Sequence, residues 1–407
     1  MSSRSNKNTS VFSHTHIDRS GWKRVRLGDV CSIKARIGWQ GLKKSEYLNF
    51  GDYCLVSGTD FDNGFINWET CSYVNEWRYN QDANIQLQNG DVLVTKDGTI
   101  GKVAFVKGMV KPTTLNSGVF VIRPINGELL PTFLQLVFKS HYFSDFLDRI
   151  TAGSTIVHLY QKDIVDFDFP IPDVDTQLQI VKSISAIDDS IEVQQFRAAK
   201  YEAIKKATVN LLLEPHKSIP VVKLGEVADI SRGGSPRPIQ AYLTSDSNGI
   251  NWIKIGDVSV DAKYIERTEE RIKPTGVAMS RQVKAGDFIL SNSMSFGRPY
   301  ILKIDGCIHD GWLAIQNYQN TFEVDYLYYL LGSDMVFAQY LENAAGSSVK
   351  NLNKDIVAKI SLPSPPLSEQ RRIAKRITTI DEFLIDCKRQ LNKAQQLKQG
   401  MMAYFFG

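Results

Sequence analysis

The chain repeats itself. Val25-Arg26-Leu27-Gly28-Asp29-Val30 returns as Val222-Lys223-Leu224-Gly225-Glu226-Val227. Gly90-Asp91-Val92-Leu93 returns as Gly286-Asp287-Phe288-Ile289, Gly101-Lys102 as Gly297-Arg298, and Lys162-Asp163-Ile164-Val165 as Lys354-Asp355-Ile356-Val357. The offset drifts only between about 192 and 198 residues. One unit of roughly 195 residues is therefore used twice, far longer than the 20–50 residues of a solenoid repeat.

Each copy closes on a long amphipathic helix. Ile373, Ile377, Ile380, Leu384, Cys387, Leu391, Ala394 and Leu397 recur at gaps of four and three, close to a heptad seam. Ser368 stands before it as the expected N-cap, and Pro363, Pro365 and Pro366 block an earlier start. In mid-chain, Asp175 takes the cap position and Ile180, Ile184, Ile187 and Ile191 repeat the seam. Gln177 matches Gln370, and Ile187-Asp188 matches Ile380-Asp381.

Within each copy, short strand-like runs come first, divided by Gly and Asn turns: Tyr53–Val56, Asp91–Thr95, Val103–Val106 and Val119–Ile122, answered by Ile250–Ile255, Asp287–Leu290 and Tyr300–Ile304. Amphipathic helices follow (Thr132–Phe138; Asp325–Leu331), then a Gly-Ser turn, a last strand and the long helix. The fold class is α+β: a disordered tail over 1–20, a globular head over 21–173, a long helix over 174–214, a linker over 215–220, a second head over 221–366 and a second long helix over 367–407. A helix of about 38 residues runs roughly 57 Å. Its narrow stripe is buried most simply by the other stripe, in an antiparallel coiled-coil pair relating two similar heads by a pseudo-twofold. The alternative packs each stripe on its own head.

Composition narrows the class. With 43% hydrophobic and 23% charged residues the chain reads as ordinary soluble protein. No run approaches 18 apolar residues, so no membrane span is expected. Met1 to Ser20 has no apolar h-region. Five scattered cysteines without a CxxC pair argue for a reducing cytoplasm and against structural zinc. A net charge of +4 would not by itself nominate nucleic acid.

The familiar catalytic motifs are missing. Gly98-Thr99-Ile100-Gly101-Lys102 lacks Walker A spacing, and no GxGxxG, HExxH or GxSxG is present. Ser364-Pro365-Pro366-Leu367 lacks the Asn and the aromatic of a methyltransferase tetrad. The histidines make no metal-ligand spacing. The sequence describes a binder rather than a catalyst, with no metal of its own.

Candidate binding residues lie in loops. Thr95–Lys102, with Lys96, Thr99 and Lys102, has as counterpart Ser291–Arg298, with Asn292, Ser293 and Arg298. These side chains suit base edges and phosphates, and the two copies keep the position while changing the chemistry. The bland reading is an ordinary hairpin turn. Ser231–Pro238 adds Arg232 and Arg237, and its equivalent Lys34–Gly41 adds Arg36 and Trp39; solvated surface loops are the competing reading. His309-Asp310-Gly311-Trp312 and Thr114-Leu115-Asn116-Ser117 are as readily core as contact. Gly153-Ser154-Thr155 with His158, and Gly346-Ser347-Ser348 with Lys350 and Asn351, could face a phosphate or merely turn the chain.

The whole pattern resembles the specificity subunit of type I restriction-modification systems. Leu224–Val227, Gly233-Gly234-Ser235-Pro236, Asn251-Trp252-Ile253, His309–Trp312 and Leu362–Gln370 carry the resemblance, together with their order, the duplication and the terminal helices. In the first copy, Phe169–Asp173 lacks the double proline and Gly38-Trp39-Gln40 replaces the Gly-Ser-Pro loop.

The resemblance implies two target recognition domains, each reading one half of a bipartite, asymmetric site in double-stranded DNA. The helices would set the spacer and dock two modification subunits through the faces bearing Ile180, Ile184, Ile187, Ile191, Ile373, Ile377, Ile380 and Leu384. S-adenosylmethionine would sit on those methyltransferase subunits, with ATP and Mg on restriction subunits. A non-catalytic protein-binding scaffold, without base readout, is the alternative function. The chain alone should neither methylate nor cleave DNA; turnover by a purified, partner-free preparation, assayed with S-adenosylmethionine, ATP and Mg, would overturn that expectation.

Overall fold

The computed structural model describes residues 19–152, 158–213, 218–259, 262–292, 297–344 and 352–407. The chain divides into two compact units: Met1–Val193 with Gln390–Gly407, and Gln194–Arg389. Each unit thus holds one head and half of each long helix.

In the first unit, β1 (Lys23–Arg26) pairs antiparallel with β8 (Asp168–Ile171) at the base of the head. The main sheet runs β2 (Cys31–Ala35), β7 (Val119–Pro124), β4 (Val92–Thr95), β5 (Val103–Phe105), then the short strands Phe65–Ile66 and Phe61–Asp62. A smaller sheet places β3 (Tyr53–Val56) between Ser72–Val74 and β6 (Thr113–Leu115). β4 is buried along its whole length, as its unbroken Val-Leu-Val-Thr run requires. Helices α1 (Pro131–Phe138) and α2 (His141–Thr151) follow, with Pro131 at the first helical position, where its missing N–H costs nothing.

The second unit repeats the plan. β9 (Val221–Lys223) pairs with β16 (Ser361–Pro363). The main sheet runs β10 (Asp229–Arg232), β15 (Trp312–Gln316), β12 (Phe288–Ser291), β13 (Pro299–Leu302), then Tyr264–Ile265. A second sheet includes the parallel pair β11 (Ile250–Ile253) and β14 (Gly306–Ile308). Helices α4 (Val324–Leu331) and α5 (Asp334–Ala344) complete the head. The long helices are α3 (Val174–Leu213) and α6 (Leu367–Phe406), 40 residues each. None of the described helices is long and apolar enough to cross a membrane.

Both helices begin differently from the sequence expectation. α3 is capped by Asp173, not Asp175: its carboxylate accepts from the Thr176 N–H at 2.9 Å and the Thr176 hydroxyl at 2.8 Å. These bonds to the charged form hold the Asp173 carboxyl below its ordinary pKa. Ser368 is already helical, and the Pro366 carbonyl opens the ladder by accepting from Glu369 and Gln370 N–H.

Just inside each helix sits a fully buried glutamine. Gln177 Oε1 accepts from Leu130 N–H at 2.9 Å, while Nε2 donates to the Glu128 and Pro172 carbonyls at 2.7 and 2.9 Å. Gln370 repeats this with Glu323 N–H, the Thr321 carbonyl and the Pro365 carbonyl, each at 2.8 Å. One amide thereby satisfies three main-chain groups that would otherwise be buried unpaired.

The apolar seam has two uses. Ile180 and Ile184 enter the core of the first head, beside Phe133, Phe169 and Phe406. Ile373 and Ile377 enter that of the second, beside Tyr326, Leu330 and Leu213. Helix-to-helix packing takes over in the middle, where Ala198 meets Leu384 and Cys387, flanked by Tyr201. In the second unit Lys205 pairs with Asp381 at 2.6 Å and Glu202 with Lys388 at 2.8 Å, so residue numbers rise on one helix as they fall on the other. In the first unit, Asp188 pairs with Lys398. The helix segments are antiparallel, and each stripe is shared between its own head and the other helix.

Replacing Gln370 by Ala leaves one N–H and two carbonyls buried without partners, and each orphan costs about 1–3 kcal/mol. A loss of roughly 3 kcal/mol is expected, read as a lower urea midpoint for Gln370→Ala than for wild type. An unchanged midpoint would show that the clip is not structural.

Candidate nucleic-acid interface

The hairpin loop between β4 and β5 is built by its backbone. Thr95 N–H donates to the Lys102 carbonyl and Gly101 N–H to the Thr95 carbonyl, both at 2.9 Å. The Thr95 hydroxyl bridges inward, donating to the Thr99 carbonyl at 2.6 Å and accepting from Lys102 N–H. Gly101 has φ +76°, and a Cβ there would strike Leu147 of α2. The loop after β12 is built the same way: Ser291 N–H to the Arg298 carbonyl and Gly297 N–H to the Ser291 carbonyl, with Gly297 at φ +74° against Tyr340 of α5. Lys96 and Asn292 even accept equivalent backbone bonds, from Leu159 and Leu352.

On this common frame the side chains differ. Thr99 and Lys102 are exposed, and Lys96 is half-buried with its ammonium 5.6 Å from the centre of the Phe120 ring. Asp97 beside them pairs with His158, whose ring lies against Tyr160. The first-unit loop therefore exposes Thr99 and Lys102, with Lys96 partly covered beside them. In the second unit, Asn292 is turned inward: its Nδ2 donates to the Asp310 carbonyl at 3.0 Å. Arg298 is half-buried, and its Nη1 has no hydrogen-bond partner among the described residues. Ser293 lies outside the described residues, as do Gly153-Ser154-Thr155, Gly346-Ser347-Ser348, Lys350 and Asn351.

Arg36 is an interior residue, which corrects its expected place on a surface loop. It is 1% exposed. Its Nε donates to the Leu115 carbonyl at 2.8 Å, Nη2 to the Thr114 hydroxyl and Nη1 to Gln81. Burial, followed by the charge of Arg78, lowers its pKa from the ordinary arginine value. Arg232, which by strand register occupies the position of Ala35, donates from Nε to the Asp310 carbonyl at 3.2 Å and stays exposed. In both units an arginine thus ties the end of the first strand of the sheet to the segment before the last.

In the second unit two other segments, Ser231–Pro238 and the loop at Asn292, converge on the turn at Asp310. Its carboxylate accepts from the Ser235 hydroxyl at 3.2 Å and Arg237 Nη2 at 3.1 Å, and it lies 2.9 Å from His309 Nε2. Burial pushes this carboxyl up, but His309, Ser235 and Arg237 together outweigh it and hold its pKa below the ordinary value. His309 Nδ1 accepts from Gly311 N–H at 3.0 Å, which assigns the ring proton to Nε2, facing Asp310. Trp312 is fully buried against Tyr300, so of this motif only the first residues reach the surface. The sequence singled out each segment, but nothing in it marked Asp310 as their meeting point. Among the described residues no group of three or more His, Cys, Asp or Glu side chains could hold a metal ion.

The expected docking residues are mostly spent inside the chain. Ile180, Ile184, Ile187, Ile373, Ile377 and Leu384 are buried, and Ile191 and Ile380 are half-buried. The helices instead expose Val193, Phe196, Phe383 and Ile385, the second of them 70% accessible.

Comparisons with known proteins agree with this duplicated architecture. The model of the type I restriction modification DNA specificity domain matches twice, over residues 19–202 and 217–399. The MjaVIII type I restriction enzyme specificity subunit of Methanocaldococcus jannaschii is 24% identical over 94% of this chain and 95% of its own length. The EcoDI specificity subunit of Escherichia coli is 22% identical over 95% and 88%. The crystal structure of the S subunit of a type I restriction-modification system from M. genitalium superposes with a TM-score of 0.63 at 14% identity, covering 95% of this chain and 96% of that one.

Because Arg36 holds its loop from inside, Arg36→Met should lower stability by about 2–3 kcal/mol, the scale for lost hydrogen bonds to a charged group. Chemical denaturation checks it; a midpoint equal to wild type would return Arg36 to the set of free surface cations.

Proposed function

The chain belongs to the type I restriction modification DNA specificity family, and we propose that it selects the DNA site for a type I restriction-modification complex. Each head takes one half of a bipartite, asymmetric duplex site. The observation that carries this reading is the pair of loops after β4 and β12: matching main-chain bonds at their described residues, different polar side chains. A frame that keeps position and changes donors suits two readers of two different sequences.

This chain supplies selection and no turnover of its own. Methyl transfer from S-adenosylmethionine belongs to two modification subunits, and ATP- and Mg-dependent work to restriction subunits. Partner subunits meet the helix faces that carry Phe196, Phe383 and Ile385, because the seam isoleucines are already covered. Lys96, Thr99 and Lys102 make the contacts of the first head, and Arg232, Arg237 and Arg298 those of the second.

The helices act as the ruler. Four residues inserted after Ala199, with four more after Lys388 to keep the antiparallel register, add about 6 Å. DNA rises about 3.4 Å per base pair along each strand. The gap between half-sites should lengthen by one to two base pairs while the half-sites stay unchanged, as read by mapping methylated adenines in cells expressing the complex. A gap of wild-type length in an active complex would rule out the ruler.

A further inference from the structure

Arg237 differs from an ordinary surface arginine. Its side chain is 76% exposed, yet it is held from several directions. Pro236 and Pro238 flank it, and proline fixes its own φ and restricts the residue before it. Its Nη2 donates to Asp310 Oδ2 at 3.1 Å. That carboxylate is itself fixed by the Ser235 hydroxyl and stands against His309, while the Asp310 carbonyl is gripped by Arg232 and Asn292. A single exposed pair of this kind contributes little to stability. Three loops built around one such pair serve to aim the guanidinium rather than to hold the fold.

The geometry points to Arg237 as a specificity-determining residue that reads a guanine in the second half-site, with Asp310 as its positioning residue. This rests on the DNA-reading function proposed above. A guanidinium spans the N7 and O6 acceptors of guanine in the major groove, and no other base offers two acceptors there. One Nη group engaged by a carboxylate leaves the rest of the fork free and lowers the entropy lost on binding. Beside it opens a cavity of about 270 Å³, lined in part by Ser235, Trp252, Lys254, Glu270 and His309, so the arginine stands on a rim and not on a flat face. The first head has no such device. By strand register Ser117, which has no carboxylate, lies at the position of Asp310, and Gln40 at that of Arg237. The guanine should therefore belong to one half-site only.

The test selects bound duplexes from a random pool of double-stranded DNA, using the full chain assembled with its modification subunits. Wild type is compared with Arg237→Lys and Asp310→Asn. Lysine keeps the charge but not the two-pronged fork. The expected result is a site in which one guanine loses about ten- to a hundredfold of its preference in Arg237→Lys, with every other position and the other half-site unchanged. Asp310→Asn should relax the same position by a smaller factor. If Arg237→Lys keeps all guanine preferences, Arg237 touches phosphate or nothing, and the assignment falls. A relaxed A·T pair in place of a G·C pair overturns it equally. A wild-type complex that binds DNA but selects no sequence would remove the DNA-reading function itself. Because Arg237 is exposed, Arg237→Lys retains the fold and decides between these outcomes even where Asp310→Asn disturbs its turn.

Discussion

A single buried amide fixes the head to the lever in each unit. The approach to a long helix is bounded by proline, at Pro170 and Pro172 in one copy and Pro363, Pro365 and Pro366 in the other. Proline removes donors, so carbonyls there accumulate without partners. Gln177 and Gln370 answer this with two donors and one acceptor, spent on a carbonyl of the approach and on both polarities of the loop preceding α1 or α4. An apolar side chain of the same volume would fill the space and strand all three groups. Once the amide is seated, Ile180 and Ile184, or Ile373 and Ile377, have no freedom to leave the head core.

A rigid mount makes variable tips tolerable. In both heads the flanks of the paired loops are fixed by main-chain bonds, at Thr95, Gly101 and Lys102 or at Ser291, Gly297 and Arg298, which do not depend on the side chains carried between them. The same substitution logic runs deeper in the sheet. Asp91 and Asp287 each accept from the main chain three residues before, Gln88 and Lys284, at 2.8 Å. Yet the donor across the sheet is Arg123 in one copy and Gln316 in the other. Acceptor and turn are kept while the donor drifts. Arg36 and Arg232 lie one register position apart, and a one-residue step at a strand end turns the side chain to the other face, so one is buried and the other exposed.

The duplication, the fold class and the central strands of the main sheets were legible because they depend on local spacing. Periodicity places Val92–Thr95, Phe288–Ser291 and the two long helices without knowledge of distant contacts. Arg36 was not legible, because its burial is created by Gln81, Thr114 and Leu115, 45 to 79 residues away. The seam was legible as a face but not as an allegiance. Spacing of four and three says which residues share a side, and is silent on whether a head or another helix covers it. The cap at Asp173 escaped for a simpler reason: with two aspartates two residues apart, only geometry distinguishes the one that reaches Thr176.

The ends of the helices explain why two copies share one chain. Phe406, the last helical residue of α6, is 1% exposed and packs 5.7 Å from Phe133 in the core of the first head. Leu213, the last residue of α3, is 2% exposed in the core of the second. Each head is therefore finished by a side chain that sequence assigns to the other repeat. Burying one such side chain contributes about 1.5–3 kcal/mol, a large share of the stability of a single domain. A repeat lacking the other's helix end would expose the apolar floor around Phe133 or Tyr326 to water. Covalent duplication holds both helix ends at high effective concentration, so neither head has to find its closing residue by collision. The boundary between the two compact units consequently falls across the long helices, near Val193 and Arg389, and not at the sequence boundary between the repeats.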